Sequence, residues 1–427
     1  MENNAALFTE QRRRLAAQLP PLSAAILVSN DVYPTNADGT MRFYQNANLY
    51  YLSGIRQEDT ALLLFPHHPD EALREVLFIK EVDEHFIKWN GYRLSREEAS
   101  AISGIKTIVF RNDFDRILKQ VLPLCQTICL HTDEHLRSEK VTETSEDRLV
   151  KKIRSLYPLH KYERLFPLLA RQRTVKLEGE IALLQKACDI TEAGFRRLLR
   201  FVKPGVTEKQ AEAELIHEYM QHGTGWSDYE PILASGKDTC ILHYHGNSKV
   251  CLEGDLLLAD AAASWQYYNA DLTRTIPVSG RFTPRQKQCY NAVLKVHRQM
   301  KKEIKAGMLM KDLQGTCFDL LLEQLCELGL CTPGEIRSKG KKHFLNRYCY
   351  HNFSHFLGLD VHDVAYFHEP LPAGAVLTNE PGIYIWEESI GIRLENNVLV
   401  RENGVLDLME SIPIEAEEIE ELMNQRA

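Results

Sequence analysis

Two apolar runs in this chain each end on a carboxylate, and that pairing limits the possible folds more than any other feature. GDLLLAD (residues 254–260) carries Asp260 six residues after Gly254, and GAVLTNE (residues 374–380) carries Glu380 six residues after Gly374. Glycine-bounded runs rich in Leu and Val predict strands. In each case a turn and a second strand-like run follow, bringing a further acid: Asp271 in NADLTRTIPV and Glu395 in IRLENNVLV. Two carboxylate-bearing hairpins are therefore expected, as a weak internal repeat would produce. An ionised carboxylate buried alone either takes up a proton or destabilises the fold, so positive charge must face these acids. Arg274 and Arg393 are close in sequence and offer salt-bridge partners for any single one of them.

Four such acids, joined by a histidine from SHFLG, point beyond salt bridges. Carboxylate oxygens with one imidazole suit Mn²⁺, Co²⁺ or Zn²⁺, and four carboxylates exceed what one ion needs. The expectation is two divalent ions sharing bridging carboxylates, with a hydroxide between them, arranged to hydrolyse an amide. The stretch HNFSHFLGLDVHD (residues 351–363) supplies three histidines, and spacing alone leaves open which of them bind or move protons. Competing signatures are absent: there is no GxSxG, HExxH, GxxxxGK[ST] or GxGxxG. Ser354 and Cys349 lie near histidines, but a nucleophile needs spatial partners that the sequence does not display.

The pattern divides into two parts. Strand-like runs AAILVS, ALLLF, EVLFIK, KTIVF and TICLHT alternate with helical stretches, predicting an N-terminal α/β domain over residues 1–165. Lys161 to Lys176 is basic and interrupted by proline, and reads as a linker. The remainder, residues 175–427, is expected to be one α+β unit: helices over 177–201 and after Thr207, then strands at 256–261, 266–277, 376–379, 383–386 and 392–400.

A formal charge of −8 argues against nucleic acid or an anionic membrane as the main partner. The start, MENNAALFTEQRRRLAAQLP, lacks a signal-peptide core, and no run reaches membrane-spanning length, so a cytoplasmic location is expected. Ten cysteines without a CxxC spacing fit reduced core thiols.

The segments ADAAASWQYYNADLTRTIPVSGRFT, HNFSHFLGLDVHD, LTNEPGIY and GIRLEN together resemble the pita-bread metallopeptidases, aminopeptidase P (Xaa-Pro aminopeptidase) above all, with prolidase a near relative. YQNANLYYLSGI and KWNGYRLS extend the resemblance into that family's N-terminal domain. The resemblance implies a pita-bread catalytic domain. It also implies one metal held by Asp260, Asp271 and Glu395, and another by Asp271, His355, Glu380 and Glu395. Glu380 would double as general base, while His243 and His362 would steady the substrate carbonyl and the tetrahedral intermediate. His351 would line the substrate site or be structural, and Arg393 would balance the acidic centre, being two residues from Glu395 on the same expected strand face, or contact substrate. Trp89, in WNGYRL, would either reach a neighbouring subunit's site or pack at a domain surface. Tyr229 and Tyr384 would line the pocket, Asp360 and Asp363 would be structural, and His245 would be exposed or pocket-lining and no ligand. Ala262 stands where the family commonly has glycine, which is expected to restrict the turn after Asp260.

The implied activity is release of the first residue from peptides with proline second, by a homodimer or homotetramer, with manganese the leading metal. Prolidase activity on Xaa-Pro dipeptides is the alternative. A non-catalytic binding module and a metal-free creatinase-type hydrolase are both disfavoured, because the ligand positions are intact.

Overall fold

The computed structural model describes residues 4–425, so the first three residues of the N-terminal stretch read above lie outside it. The chain forms two compact units, the first ending at Gln172 and the second beginning at Arg173.

The first unit is built on a six-stranded sheet: β1 (Ser23–Val28), β2 (Ala61–Leu64), β3 (Glu75–Ile79), β4 (Thr107–Phe110), β5 (Thr127–Leu130) and β6 (Lys161–Arg164), in the order β4-β3-β2-β1-β5-β6. Only β2 runs antiparallel to its neighbours. Every residue of β1 and β2 is buried, as expected where helices cover both faces. Ala24, Ile26 and Val28 pack with Phe114, Leu118 and Leu149 of the helices Phe114–Val121 and Ser145–Leu156.

The segment expected to be a linker is structured. Its first residues form β6, parallel to β5, and the next form a helix, Phe166–Thr174. Pro167 lies in the first turn of that helix, where the missing N–H would have had no helical partner, so it starts a helix here.

In the second unit the helices Glu178–Phe201 and Glu208–Gln221 pack side by side, the latter closed by a Thr207–Gln210 capping box. Two three-stranded sheets follow. One joins β7 (Ile232–Ser235), β8 (Leu256–Asp260) and β11 (Thr273–Pro277), ordered β11-β8-β7, with a small hairpin of β9 (Ser264–Trp265) and β10 (Tyr268–Asn269) inserted between β8 and β11. The other joins β12 (Val376–Asn379), β15 (Asn396–Arg401) and β16 (Gly404–Asp407), with the hairpin β13 (Gly382–Ile385) and β14 (Ile390–Arg393) inserted between β12 and β15.

The same plan is used twice: an outer antiparallel pair around an inner hairpin. Asp260 ends β8 opposite Thr273, and Asp271 lies two residues before that partner. Asn379 ends β12 opposite Asn396, with Glu380 one residue beyond it and Glu395 one residue before its partner. The single long strands expected over 266–277 and 392–400 are interrupted at the acids. Breaks in the strands at 270–272 and 394–395 turn each carboxylate out of the ladder. Among the described residues, no helix is long and apolar enough to cross a membrane.

Candidate metal centre

One cavity of about 390 Å³ is lined by Asp260, Asp271, His355, Glu380 and Glu395. Donor atoms of Asp271, His355 and Glu395, all buried, lie within 4.8 Å of one another. His355 Nε2 stands 3.3 Å from Asp271 Oδ2 and 3.5 Å from Glu380 Oε1. Its Nδ1 lies 3.0 Å from the Phe356 carbonyl, which holds Nδ1–H as donor and leaves Nε2 facing the acids. Asp260 joins from the opposite hairpin, its Oδ2 accepting from Arg393 Nη2 at 2.6 Å.

Supporting groups lock these side chains. The Tyr229 hydroxyl donates to Asp271 Oδ1 at 2.8 Å, and Thr273 Oγ1 donates to Glu395 Oε2 at 2.5 Å. Asn397 brackets the Asp271 backbone, accepting from its N–H at 3.0 Å and donating to its carbonyl at 2.7 Å. Arg393 also donates to Thr273 Oγ1 and the Tyr384 hydroxyl, both at 3.0 Å. Tyr384 in turn meets His351 Nε2 at 2.8 Å.

The electrostatics are those of acids without enough positive charge. Burial pushes Glu380 up to about 7, with Asp271 and Asp260 adding to the shift against His355 and Arg393. Burial and the neighbouring carboxylates drive Glu395 well above the usual carboxylate range, and Asp260 is raised despite Arg393. Burial alone would lower His355, yet its hydrogen bond to Asp271 and the Glu380 charge leave it raised. Burial and the Arg393 charge bring His351 down to about 3. Asp260 Oδ1 is buried with no hydrogen-bond partner. Crowded, mutually repelling oxygen donors, one orphaned acceptor and one aimed imidazole nitrogen fit a divalent cation, which would relieve both the repulsion and the orphan.

Residues 182–402 match Metallopeptidase family M24, and residues 8–129 match the Aminopeptidase P, N-terminal domain. The Xaa-Pro aminopeptidase of Haemophilus influenzae is 31% identical, over 98% of this chain and 97% of its own length. The chain belongs to metallopeptidase family M24. It is a metallopeptidase of the aminopeptidase P type, with the family's N-terminal and pita-bread domains. The Xaa-Pro aminopeptidase of Escherichia coli is 30% identical, over 97% of each chain. Two solved structures match it closely. The Pseudomonas aeruginosa aminopeptidase PepP gives a TM-score of 0.89 at 29% identity, and the zinc-substituted E. coli aminopeptidase P in complex with product gives 0.87 at 29%, each covering 98% of both chains.

In this M24 peptidase the other residues singled out from sequence fall as follows. His243, His351, His362 and Arg393 line the cavity, and the His362 ring meets that of His355 edge-on, centroids 4.4 Å apart. His351 Nδ1 comes within 3.5 Å of Glu380 Oε2. Arg393 does not share a strand with Glu395, since β14 ends at Arg393 and β15 begins at Asn396; it reaches Asp260, at the end of β8 in a different sheet. Among the described residues Arg274 pairs with no carboxylate; it donates to the carbonyls of Pro413, Thr273 and Glu395 and to Asn396 Oδ1. Asp363 is buried in an ion network with Arg173 and Lys176. Ala262 is buried without a left-handed backbone, so the turn after Asp260 does not require glycine. Trp89 lies on the helix Glu84–Asn90 of the first unit, 78% exposed, so it is not packed at a surface within that unit.

Thr273 and Asn397 were not anticipated. Each follows a cavity acid by two residues, Asp271 and Glu395 respectively, and period-two spacing was the available signal. Gly391 is a further missed position. A methyl group there would lie 2.1 Å from the Thr239 carbonyl oxygen. Gly391→Ala is expected to cost about 1–3 kcal/mol through overpacking against backbone. Urea unfolding reads this as a lower midpoint at constant m-value, and an unchanged midpoint would show that β14 is not seated on Thr239.

Proposed function

We propose that this chain is a dinuclear aminopeptidase that removes the first residue from peptides whose second residue is proline. Supporting the reading is the convergence of four carboxylates and one imidazole on a single cavity, with an acceptor oxygen of Asp260 left unpartnered. Asp260, Asp271, His355, Glu380 and Glu395 would hold two ions, Asp271 and Glu395 serving both. When bound, divalent ions polarise a carbonyl and make water acidic enough to supply hydroxide at neutral pH.

The chain's own groups then divide the remaining work. Glu380, at the cavity wall, accepts a proton from the attacking water and delivers it to the departing proline nitrogen. His362, against His355, and His243, at the open side, donate to the substrate carbonyl as its oxygen gains charge. Arg393 holds Asp260 and orders Tyr384 and His351. The proline requirement rests on the names of the relatives, the H. influenzae and E. coli Xaa-Pro aminopeptidases. A homodimer or homotetramer carrying Trp89 to a neighbouring copy, and a cytoplasmic location, complete the reading.

The charge inventory favours this over prolidase. An Xaa-Pro dipeptide places its carboxylate one residue from the scissile bond and needs a cation there. Arg393 is the only lysine or arginine lining the cavity among the described residues, and Asp260, Tyr384 and Thr273 occupy it.

The test is a metal-depleted protein reloaded separately with Mn²⁺, Co²⁺ or Zn²⁺. It is expected to bind two ions per chain by elemental analysis, to regain most activity with Mn²⁺, and to cleave Xaa-Pro-Yaa faster than Xaa-Pro. One ion per chain at full activity would remove the dinuclear part, and cleavage of dipeptides alone would leave prolidase.

A further inference from the structure

We infer that the first unit carries a second binding site, built from Arg111, Lys80 and Asp59, for a small zwitterion of the α-amino acid class. It is separate from the metal centre, and nothing in it depends on which peptides that centre cleaves.

A cavity of about 400 Å³ opens at the edge of the six-stranded sheet where β1, β3 and β4 end and β2 begins. The strand order diverges at β1, which has β2 on one side and β5 on the other. In open α/β sheets the crevice outside the carboxyl ends of the strands, at such a point, is where ligands bind. Lys80 and Arg111 directly follow Ile79 and Phe110, which pair across β3 and β4, so the two cations enter the cavity from adjacent positions.

Of the seven charged side chains lining this cavity, four are already engaged. Arg148 donates to Asp31 at 2.5 Å, Lys152 donates to both oxygens of Asp115 at 2.6 and 2.7 Å, and Glu58 accepts from Arg93 at 2.8 Å. Arg111, Lys80 and Asp59 remain. None of the three makes a side-chain hydrogen bond among the described residues; Arg111 stays 3.5 Å from Asp59, and Lys80 3.5 Å from Glu58. Aromatic faces hold the two cations instead, Arg111 over Phe114 at 3.9 Å and Lys80 over Phe86 at 4.7 Å. Burial is the largest influence on both Asp59, which it raises, and Arg111, which it lowers, so each charged form gains from a ligand charge of opposite sign.

This leftover set matches one kind of molecule. The Arg111 fork takes a carboxylate through two parallel hydrogen bonds, with Lys80 adding charge, and Asp59 takes an ammonium. Phe114 and Leu149 offer apolar wall to a side chain. A phosphate dianion would satisfy the cations but face Asp59.

The test is titration calorimetry of the full, metal-loaded chain with L-leucine, for which this site should show a Kd of about 1 mM. Leucinamide, which lacks the carboxylate, and 4-methylpentanoate, which lacks the ammonium, should each bind at least about tenfold more weakly. Arg111→Gln and Asp59→Asn should each remove this binding and leave kcat/KM on peptides unchanged. Asp59 has a left-handed backbone, φ 53°, which asparagine tolerates, so a loss in Asp59→Asn reports charge rather than misfolding. Leucine heat that both variants share with the parent protein belongs to the metal centre and is subtracted. Absence of leucine binding, or an isotherm unchanged in both variants, overturns the site. Inorganic phosphate binding more tightly than leucine, and lost in Arg111→Gln, overturns the zwitterion as its ligand.

Discussion

Asp271→Ala is expected to lower kcat/KM on an Xaa-Pro-Yaa peptide at least about a thousandfold while leaving the protein folded. Asp271 touches His355, accepts from Tyr229 and sits in the tight cluster with Glu395, so its carboxylate joins three parts of the site. Its backbone is clamped by Asn397 and is unaffected by side-chain truncation. The buried Tyr229 hydroxyl loses its acceptor, which costs about 1–3 kcal/mol. Relief of repulsion on Glu395, Glu380 and Asp260 offsets part of that. Circular dichroism should therefore stay native, and the metal-induced rise in melting temperature should be largely lost. Activity above a tenth of the parent protein would rule out a bridging role for this residue.

Asp363→Ala carries the largest expected effect on stability, about 3–5 kcal/mol. Its carboxylate accepts from Arg173 at 2.5 Å and from Lys176 at 2.8 Å, with all three side chains no more than 2% exposed. Truncation leaves the buried Lys176 ammonium with the Arg173 carbonyl as its remaining hydrogen-bond partner among the described residues. The same network gives a pH signature. Burial pulls the Asp363 pKa up, but the Arg173 and Lys176 charges outweigh it and hold it below the usual value. A depressed folded-state pKa stabilises the protein above the unfolded value, near about 4, and that stabilisation is lost as pH falls through the folded value. Urea midpoints of the parent protein should drop across this acid range, and those of Asp363→Ala should drop less. Parallel curves would show that Asp363 is not the group responsible.

Much of this architecture was legible because it depends on short-range pattern. Five of the six strands of the first unit were visible as apolar runs, since helices on both faces force continuous rather than alternating hydrophobicity. The cavity acids were visible for the opposite reason, as polar residues where the pattern demanded apolar ones. What was hidden depends on three-dimensional neighbours. Pro167 and the basic residues around it suggested a linker, and only the exposed edge beside β5 makes that segment a strand and a helix. Arg393 was expected to balance the acidic centre or contact substrate; it pairs with an acid of the cluster, but that acid is Asp260, more than a hundred residues away in sequence, and its closeness to Glu395 did not identify it. Arg274 looked equally suited to a carboxylate and instead ties backbone carbonyls together.

The clasp between Asn397 and the Asp271 backbone has a consequence for how the protein matures. It knots the Asn397 side-chain amide to the Asp271 main chain without using any metal-facing carboxylate, so the geometry of the cage is set by ordinary folding rather than by whatever ion arrives later. A stripped protein should therefore keep the memory of its site and accept a fresh charge of metal without unfolding, and a chain lacking that clasp should lose this memory first.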